Sequence, residues 1–315
     1  MMPPAPQTLL LAARNAGFFS NLNGVLNHLR YSLGRNGIEA IIVDWRANPA
    51  ERHEFSYGRA EDGNLWLRFF EPLAFERHPP ALSATRFYAN DAMTSRRAYA
   101  MYKFGWRWRR IYNRLFRRYI AVRPALLARA EAIHARHMAG HYRIGVHCRH
   151  PKHDSECLHP SPSLARYIAM TRALLPSDRS WIVFLASDYE PAVAAFRAVF
   201  GERLAMQEGV KRAPGPSAEQ RHHIDPDPAI ESGEQVLIDA LLLARCDALV
   251  HVTSNLATAV GYMNPQSRMV YCETRLQAVI GYLWSLYQYT PLAAWRGRLV
   301  RAMAARRQKV LSRPS

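Results

Sequence analysis

Apolar residues along this chain come in short continuous runs, separated by stretches with helical spacing. TLLLAA (Thr8–Ala13) is such a run and predicts a buried strand. RNAGFFSNLNG follows as a polar loop. In VLNHLRYSLGRNG the positions Val25, Leu26, Leu29 and Leu33 share one helical face, with Gly37 placed to end the helix. EAIIVDW (Glu39–Trp45) predicts a second strand with Asp44 near its end. Strand, helix and strand in that order make a βαβ unit and favour a parallel sheet. NLWLRFFEPL (Asn64–Leu73) predicts a short strand or an edge segment.

The middle, from Arg96 to about Ala139, has helical character throughout. Beyond it the alternation of strand and helix resumes. His141–Cys148, SWIVFLASD (Ser180–Asp188), DALVHVT (Asp247–Thr253) and RMVYCE (Arg268–Glu273) predict strands. Between them, SPSLARYIAMTRALL predicts a helix with Ser161 or Ser163 near its N-cap and Pro162 in its first turn. PAVAAFRAVFG has a proline start and a glycine stop. KRAPGPSAEQRHHIDPDPAI is loop by composition. GEQVLIDALLLARC (Gly233–Cys246) is a strongly apolar helix, and SNLATAVGYMNP opens with N-cap chemistry. The fold class is therefore α/β, and the second half reads as a doubly wound sheet. Two α/β halves meet near residue 140: an N-terminal domain over 1–139, with a helical basic-aromatic insert at about 91–139, and a C-terminal domain over 140–290. A basic helical tail over 291–315 completes the chain.

Composition sharpens this picture in one direction. The 315 residues carry 42 Lys and Arg against 25 Asp and Glu, a net charge of +17. Such an excess points to an anionic partner: nucleic acid, an acidic membrane surface or a phosphorylated ligand. The four cysteines are widely spaced and form no CxxC pair, which suits a reducing compartment better than a disulfide framework. The N-terminus lacks the basic region of a secretory signal, and no apolar stretch reaches the length of a membrane span. A cytoplasmic protein is expected, with peripheral contact at the inner membrane face as a further option.

Ligands of open α/β sheets bind beyond the carboxyl ends of the strands, and four polar constellations fall at such ends. The first is Asn15, Gly17, Ser20, Asn21 and Asn23, a cleft loop opening the first helix. It offers main-chain N–H groups to an anion or a sugar hydroxyl, or is a plain capped helix start. It is neither GxGxxG nor GxxxxGK[ST], so a dinucleotide fingerprint and a P-loop are unsupported. In the second, HCRHPKHDSECLH, strand alternation sends His147 and Arg149 to one face and Cys148 to the other. An arginine there suits a diphosphate, because its charge is permanent and its fork matches phosphate oxygens. Lys152 adds a cation, and Asp154 and Glu156 are the nearest carboxylates for proton acceptance. The third, Asp188, is placed to bind ribose or base edges or to cap the next helix. The fourth is Thr253, Ser254 and Asn255, whose hydroxyls, amide and helix-end N–H groups suit phosphates or, again, capping. Asp239 lies within the apolar LIDALLLA, where an acid needs a partner or a ligand.

Two other chemistries compete for these residues. A metal site would recruit His147, Cys148, His150, His153, Cys157 and His159, but their spacings match no common zinc pattern and Cys148 faces away from His147. No metal or cofactor is expected. The block YAMYKFGWRWRRIYNRLFRR belongs to a stretch from Arg96 to Arg118 with nine Lys and Arg and no acid. It suits either single-stranded nucleic acid or a helix with an aromatic core face and a basic outer face, and the second reading is preferred. The tail from Arg296 to Ser315 has seven Lys and Arg and no acid, and offers contact with an acidic membrane.

Three stretches, IGVHCRHPKHDSE, IVFLASD and GEQVLIDALLLARCDALVHVTSNLATAVGYMNP, together resemble the fucosyltransferases of the NodZ and α-1,6-fucosyltransferase superfamily, to which the protein O-fucosyltransferases belong. GFFSNLNGVL and FFEPL are similar to the N-terminal half of bacterial relatives. The resemblance implies two Rossmann-like domains facing a cleft (GT-B-like), with the nucleotide sugar on the C-terminal one and the acceptor on the N-terminal one. It implies inverting, metal-independent transfer of fucose from GDP-fucose to a glycan or lipid-linked acceptor. Arg149 would hold the β-phosphate and stabilise departing GDP, supported by His147. Asp188 and Asp239 would contact the nucleoside or order its pocket, Ser254 and Asn255 would bind the diphosphate or its neighbourhood, and Glu156 matches by offset the acid proposed as base or acceptor-orienting group. This chain departs from the family after Arg149, where His150, Pro151, Lys152 and His153 replace the usual Arg-Thr-Asp-Lys or Gly-Thr-Asp. The other readings are a GT-B transferase with a different nucleotide sugar, and a non-enzymatic basic α/β protein that binds nucleic acid or acidic membrane.

Overall fold

The computed structural model describes residues 7–13, 17–33, 38–46, 57–58, 60–73, 84–88, 106–151, 162–215, 229–274 and 276. The first βαβ unit forms as its pattern dictates. β1 (Gln7–Ala12) leads into α1 (Phe18–Tyr31) and then β2 (Ile38–Asp44), and β3 (Ala84–Tyr88) joins the other side of β1. The order is β2-β1-β3, all parallel. Between β2 and β3 the segment NLWLRFFEPL does not form the expected strand. It contains a one-turn helix, α2 (Trp66–Phe69), and only Phe70 bridges to Val122. Asn64 causes this: its Oδ1 accepts from the N–H groups of Trp45 and Trp66 while its Nδ2 donates to the Val43 carbonyl, so the chain turns at the end of β2. The turn delivers Trp66, Phe69 and Phe70 into an aromatic cluster with Phe18 and Trp45, in which edge-on pairs dominate.

The central helices are α3 (Trp106–Tyr119) and α4 (Pro124–His137). Over the described part of the aromatic-basic block, from Trp106 onward, α3 is a helix with an aromatic inner face. Tyr112 is buried, stacks on Tyr262 at 4.4 Å and donates to Asn27. Asn113 donates to the carbonyls of Tyr262 and Met263, and Arg109 to that of Ser267.

The second sheet is built from β4 (Tyr142–Cys148), β5 (Trp181–Ser187), β6 (Leu204–Ala205), β7 (Ala248–His251) and β8 (Arg268–Tyr271). Its helices are α5 (Leu164–Arg172), α6 (Glu190–Phe200), α7 (Ala229–Leu243) and α8 (Asn255–Met263). Ser163 is the N-cap of α5 and accepts from the Arg166 N–H, so Pro162 precedes the helix instead of sitting in its first turn. Gly201 ends α6 with φ at 51°, a conformation costly for any side chain. α7 starts at Ala229, ahead of the expected Gly233. All strands are parallel in the order β6-β5-β4-β7-β8, so the winding direction reverses between β4 and β7.

Residue alternation on β4 divides the core. Ile144, Val146 and Cys148 pack with Tyr167, Val193, Phe196 and Cys272 on the face covered by α5 and α6. Gly145 faces α7, where an added Cβ would lie 2.9 Å from Leu243 Cδ2 and 3.1 Å from Cys246 Sγ. The core on that side runs on without a break from Phe184, Leu237 and Leu242 through Leu256 and Val260 to Val25, Leu26 and Leu11. One apolar body therefore joins the two sheets through α7, α8 and α1. The tail over 291–315 and the first part of the insert lie outside the described residues. Among the described residues, no helix is long and apolar enough to cross a membrane.

Candidate active site

The reversal point of a doubly wound sheet leaves a crevice outside the carboxyl ends of its two central strands. Here those strands are β4 and β7, paired in register with His147 opposite His251. Beyond them the chain contributes Arg149 and His150 on one side and Thr253, Ser254 and Asn255 on the other.

The turn after β4 is held from β5. The His150 N–H donates to Asp188 Oδ1 at 2.8 Å, and the fully buried His150 ring packs edge-on against Tyr189 while its Nε2 meets the Gly215 carbonyl at 3.0 Å. Asp188 thus fixes the path of the chain beside Arg149, which remains half-exposed. His150 is a packed element of this turn.

The turn after β7 is held from β8. Buried Glu273 accepts from both the N–H and the hydroxyl of Thr253, at 3.0 and 2.9 Å. Ser254 is the N-cap of α8, its Oγ accepting from the Ala257 N–H at 3.1 Å. The same Oγ lies 3.3 Å from His147 Nδ1. The contact joins the Ser254 hydroxyl to the imidazole by a hydrogen bond across the sheet. His147 and Ser254, distant in sequence, therefore form one pair across the β4–β7 seam.

The first constellation reaches this seam as helix, not loop. Ser20, Asn21 and Asn23 lie in the opening turns of α1, whose N-cap is Gly17, and Asn21 and Asn23 are buried. The Asn23 Nδ2 donates to the Asn255 main-chain oxygen at 3.0 Å and reaches its side-chain oxygen at 3.4 Å. α1 and α8 thus present their N-termini to the same region, and helix N-termini favour anions. Tyr57 stands there too: burial pushes its phenol up to about 12, against the Phe18 N–H it accepts from, with the Asp188 charge raising it further and Arg149 lowering it.

Asp239 sits apart, toward the ends of β5 and β6. Its Oδ1 accepts from Gln207 Nε2 at 2.6 Å, and Arg212 ties the neighbourhood together by donating to the Ser187 and Gln207 carbonyls. Part of the residue reaches solvent, yet burial pushes the carboxyl up to about 7, against the Gln207 hydrogen bond and the Arg212 charge. Gln207 and Arg212 also line a surface pocket with His137 and Arg197.

The structure therefore gathers His147, Arg149, Asp188, Thr253, Ser254, Asn255 and Asn23 around one seam, with Asp239 a strand away. Asn15, Lys152, Asp154 and Glu156 lie outside the described residues, as do His153, Cys157 and His159 of the metal alternative. Among the described residues no three His, Cys, Asp or Glu side chains gather as metal ligands would. Glu273, Gln207, Arg212 and Tyr57 went unread in the sequence. Glu273, an acid at the end of an apolar strand, carried the same signal as Asp188.

No protein-family model matches this sequence, and no curated protein matches it. Solved structures do. The chain is similar to NodZ α-1,6-fucosyltransferase co-crystallised with GDP, at a TM-score of 0.55 and 19% identity over 83% of this chain and 94% of that one. It is similar to the same enzyme soaked with GDP-fucose, at 0.53 and 21% over 82% and 93%. The fucosyltransferase NodZ from Bradyrhizobium matches at 0.55 and 21%, over 83% and 94%. At these identities the likeness is one of fold: this chain has the α/β fold, with parallel sheets, of the NodZ fucosyltransferases.

Proposed function

We propose that this chain is a glycosyltransferase that moves fucose from GDP-fucose to a glycan or lipid-linked acceptor, with inversion and without a metal. The observation that carries the reading is the meeting of Arg149, the His147–Ser254 pair and the N-termini of α1 and α8 at the β4–β7 reversal point. The fold shared with proteins crystallised with GDP and GDP-fucose supports the choice of donor.

In this reading the acceptor hydroxyl attacks the sugar C1 from the face opposite the diphosphate. The C1–O bond breaks, GDP leaves with the electron pair, and the acceptor proton passes to a carboxylate, for which Glu156 is the candidate. Arg149 neutralises the charge that grows on the β-phosphate, a role that stabilises the transition state more than the ground state. His147 supports it. Asp188 through the His150 N–H, and Glu273 through the N–H and hydroxyl of Thr253, hold the two turns in place. Residues 140–290 carry the donor and residues 1–139 face the acceptor, in a bacterial cytoplasmic enzyme.

Thermal melts with GDP, in the presence of a chelator, test the reading: GDP raises the melting temperature without metal, and Arg149→Ala abolishes fucose transfer while the variant still melts cooperatively. Indifference to GDP, or full activity of Arg149→Ala, overturns it. A larger shift with another nucleotide sugar replaces fucose as the transferred group.

A further inference from the structure

The site described above makes no use of the outer face of α3. Its inner face is committed: Tyr112, Asn113 and Arg109 attach it to α8 and the β8 approach. On the outside, Arg107, Arg110, Arg114, Arg117 and Arg118 are all exposed, and the helix contains no acid. At 100° per residue these five positions fall within an arc of about 100°, along a helix about 21 Å long. None of the five forms an ion pair among the described residues, whereas Arg123, just beyond the helix, is paired with Glu71. At the N-terminal end Trp106 is 57% exposed, with the Arg110 guanidinium 4.8 Å from its ring centre.

We infer that this face is a docking surface for an anionic lipid bilayer. Three features select a membrane over nucleic acid. The helix lies flush against the body of the protein, so it cannot enter a DNA major groove about 12 Å wide, which must admit a whole helix. A plane needs only the outward arc, and all five guanidinium groups reach a plane together. Single-stranded nucleic acid would need a series of exposed aromatic rings. Among the described aromatic residues of this block only Trp106 is exposed, while Trp108, Phe116 and Tyr119 are partly buried and Tyr112 fully so. A lone exposed tryptophan beside a row of arginines is the composition of an interfacial contact, with the ring at headgroup level and the cations on acidic headgroups. Because the apolar face of α3 is spent inside the protein, attachment is electrostatic, reversible and sensitive to salt.

Vesicle flotation with the full chain tests this, and needs no GDP, so its outcome is separate from that of the transferase reading. The protein is expected to float with phosphatidylserine-rich vesicles, not with pure phosphatidylcholine vesicles, and to detach when salt rises from about 0.1 M to about 0.5 M. The triple variant R110Q/R114Q/R117Q is expected to lose about a hundredfold in partitioning, roughly fivefold per arginine, with its melting temperature unchanged. R110K/R114K/R117K, which keeps the charge, is expected to retain binding within a few fold. Absence of flotation with the wild-type chain overturns the inference. So does undiminished binding by the glutamine variant, which would assign attachment to the tail. Equal loss in the lysine variant, or binding to a DNA or RNA duplex without binding to vesicles, overturns it as well.

Discussion

The main-chain N–H of His150 donates to the carboxylate of Asp188 at 2.8 Å, so the carboxyl end of β5 dictates the path of the chain leaving β4. Arg149 precedes His150, and any shift of this turn moves the guanidinium. Asp188→Ala leaves the buried N–H without this acceptor and is expected to cost about 1.5–3 kcal/mol of stability, the usual value for a hydrogen bond to a charged group. Asp188→Asn, whose Oδ1 still accepts, is expected to lose less than half as much. Urea melts of the two variants against wild type measure the difference, and equal losses would show that charge, not acceptance, matters.

Glu273 performs the corresponding task on the other side of the seam. Its two oxygens take the N–H and the hydroxyl of Thr253, immediately before the cap of α8. Glu273→Ala removes both acceptors and is expected to destabilise by about 2 kcal/mol or more, each orphaned donor costing on the order of 1 kcal/mol. Glu273→Gln keeps one accepting oxygen and recovers about half. If the seam binds GDP, affinity measured by calorimetry falls in the same order, alanine below glutamine below wild type.

Much of this arrangement is legible in the sequence, because parallel strands buried on both faces write themselves as unbroken apolar runs. IGVHC, WIVFLAS and ALVH need no long-range information, and the rule that ligands sit beyond strand ends then finds His147, Arg149, Asp188 and Thr253–Asn255. NLWLRFF misleads for the same reason: a short apolar run is common to a strand and to a turn of buried helix. Only the three hydrogen bonds of Asn64 decide for the helix. The partners are less visible than the residues they serve. Glu273 meets Thr253 through the pairing of β7 with β8, and Gln207 meets Asp239 through the packing of α7 against the sheet, which no local pattern encodes. Asn23 meets Asn255 across more than two hundred residues of chain.

Gly145 carries a prediction about packing alone. Its position on β4 brings the strand against α7, and a methyl group there meets Leu243 Cδ2 at 2.9 Å and Cys246 Sγ at 3.1 Å. The Leu243 end can rotate away, whereas Cys246 is fixed by the turn after α7. Gly145→Ala is expected to cost about 1–3 kcal/mol, the range for overpacking a filled core. Gly145→Ala/Leu243→Ala, which removes the flexible neighbour, separates the two contacts: a residual penalty relative to Leu243→Ala alone measures the clash with Cys246.

Asp239 makes stability depend on pH in a direction opposite to that of most acids. Its carboxyl is pushed up to about 7 by burial, against the Gln207 hydrogen bond and the Arg212 charge, while in the unfolded chain an aspartate titrates near 3.9. Between these values the folded state holds a proton that the unfolded state has released, so the slope of stability with pH is negative. The contribution is full below about pH 4, declines as pH rises, and is lost once pH passes about 7; its total is a few kcal/mol at most, since part of the residue reaches solvent. Asp239→Asn removes the titration and keeps an oxygen for Gln207. The variant is therefore expected to be close to wild type in urea melts at pH 4 and more stable than wild type at pH 8. A variant that tracks wild type at both pH values would show that Asp239 is ionised throughout, stabilised by Arg212 more strongly than burial opposes it.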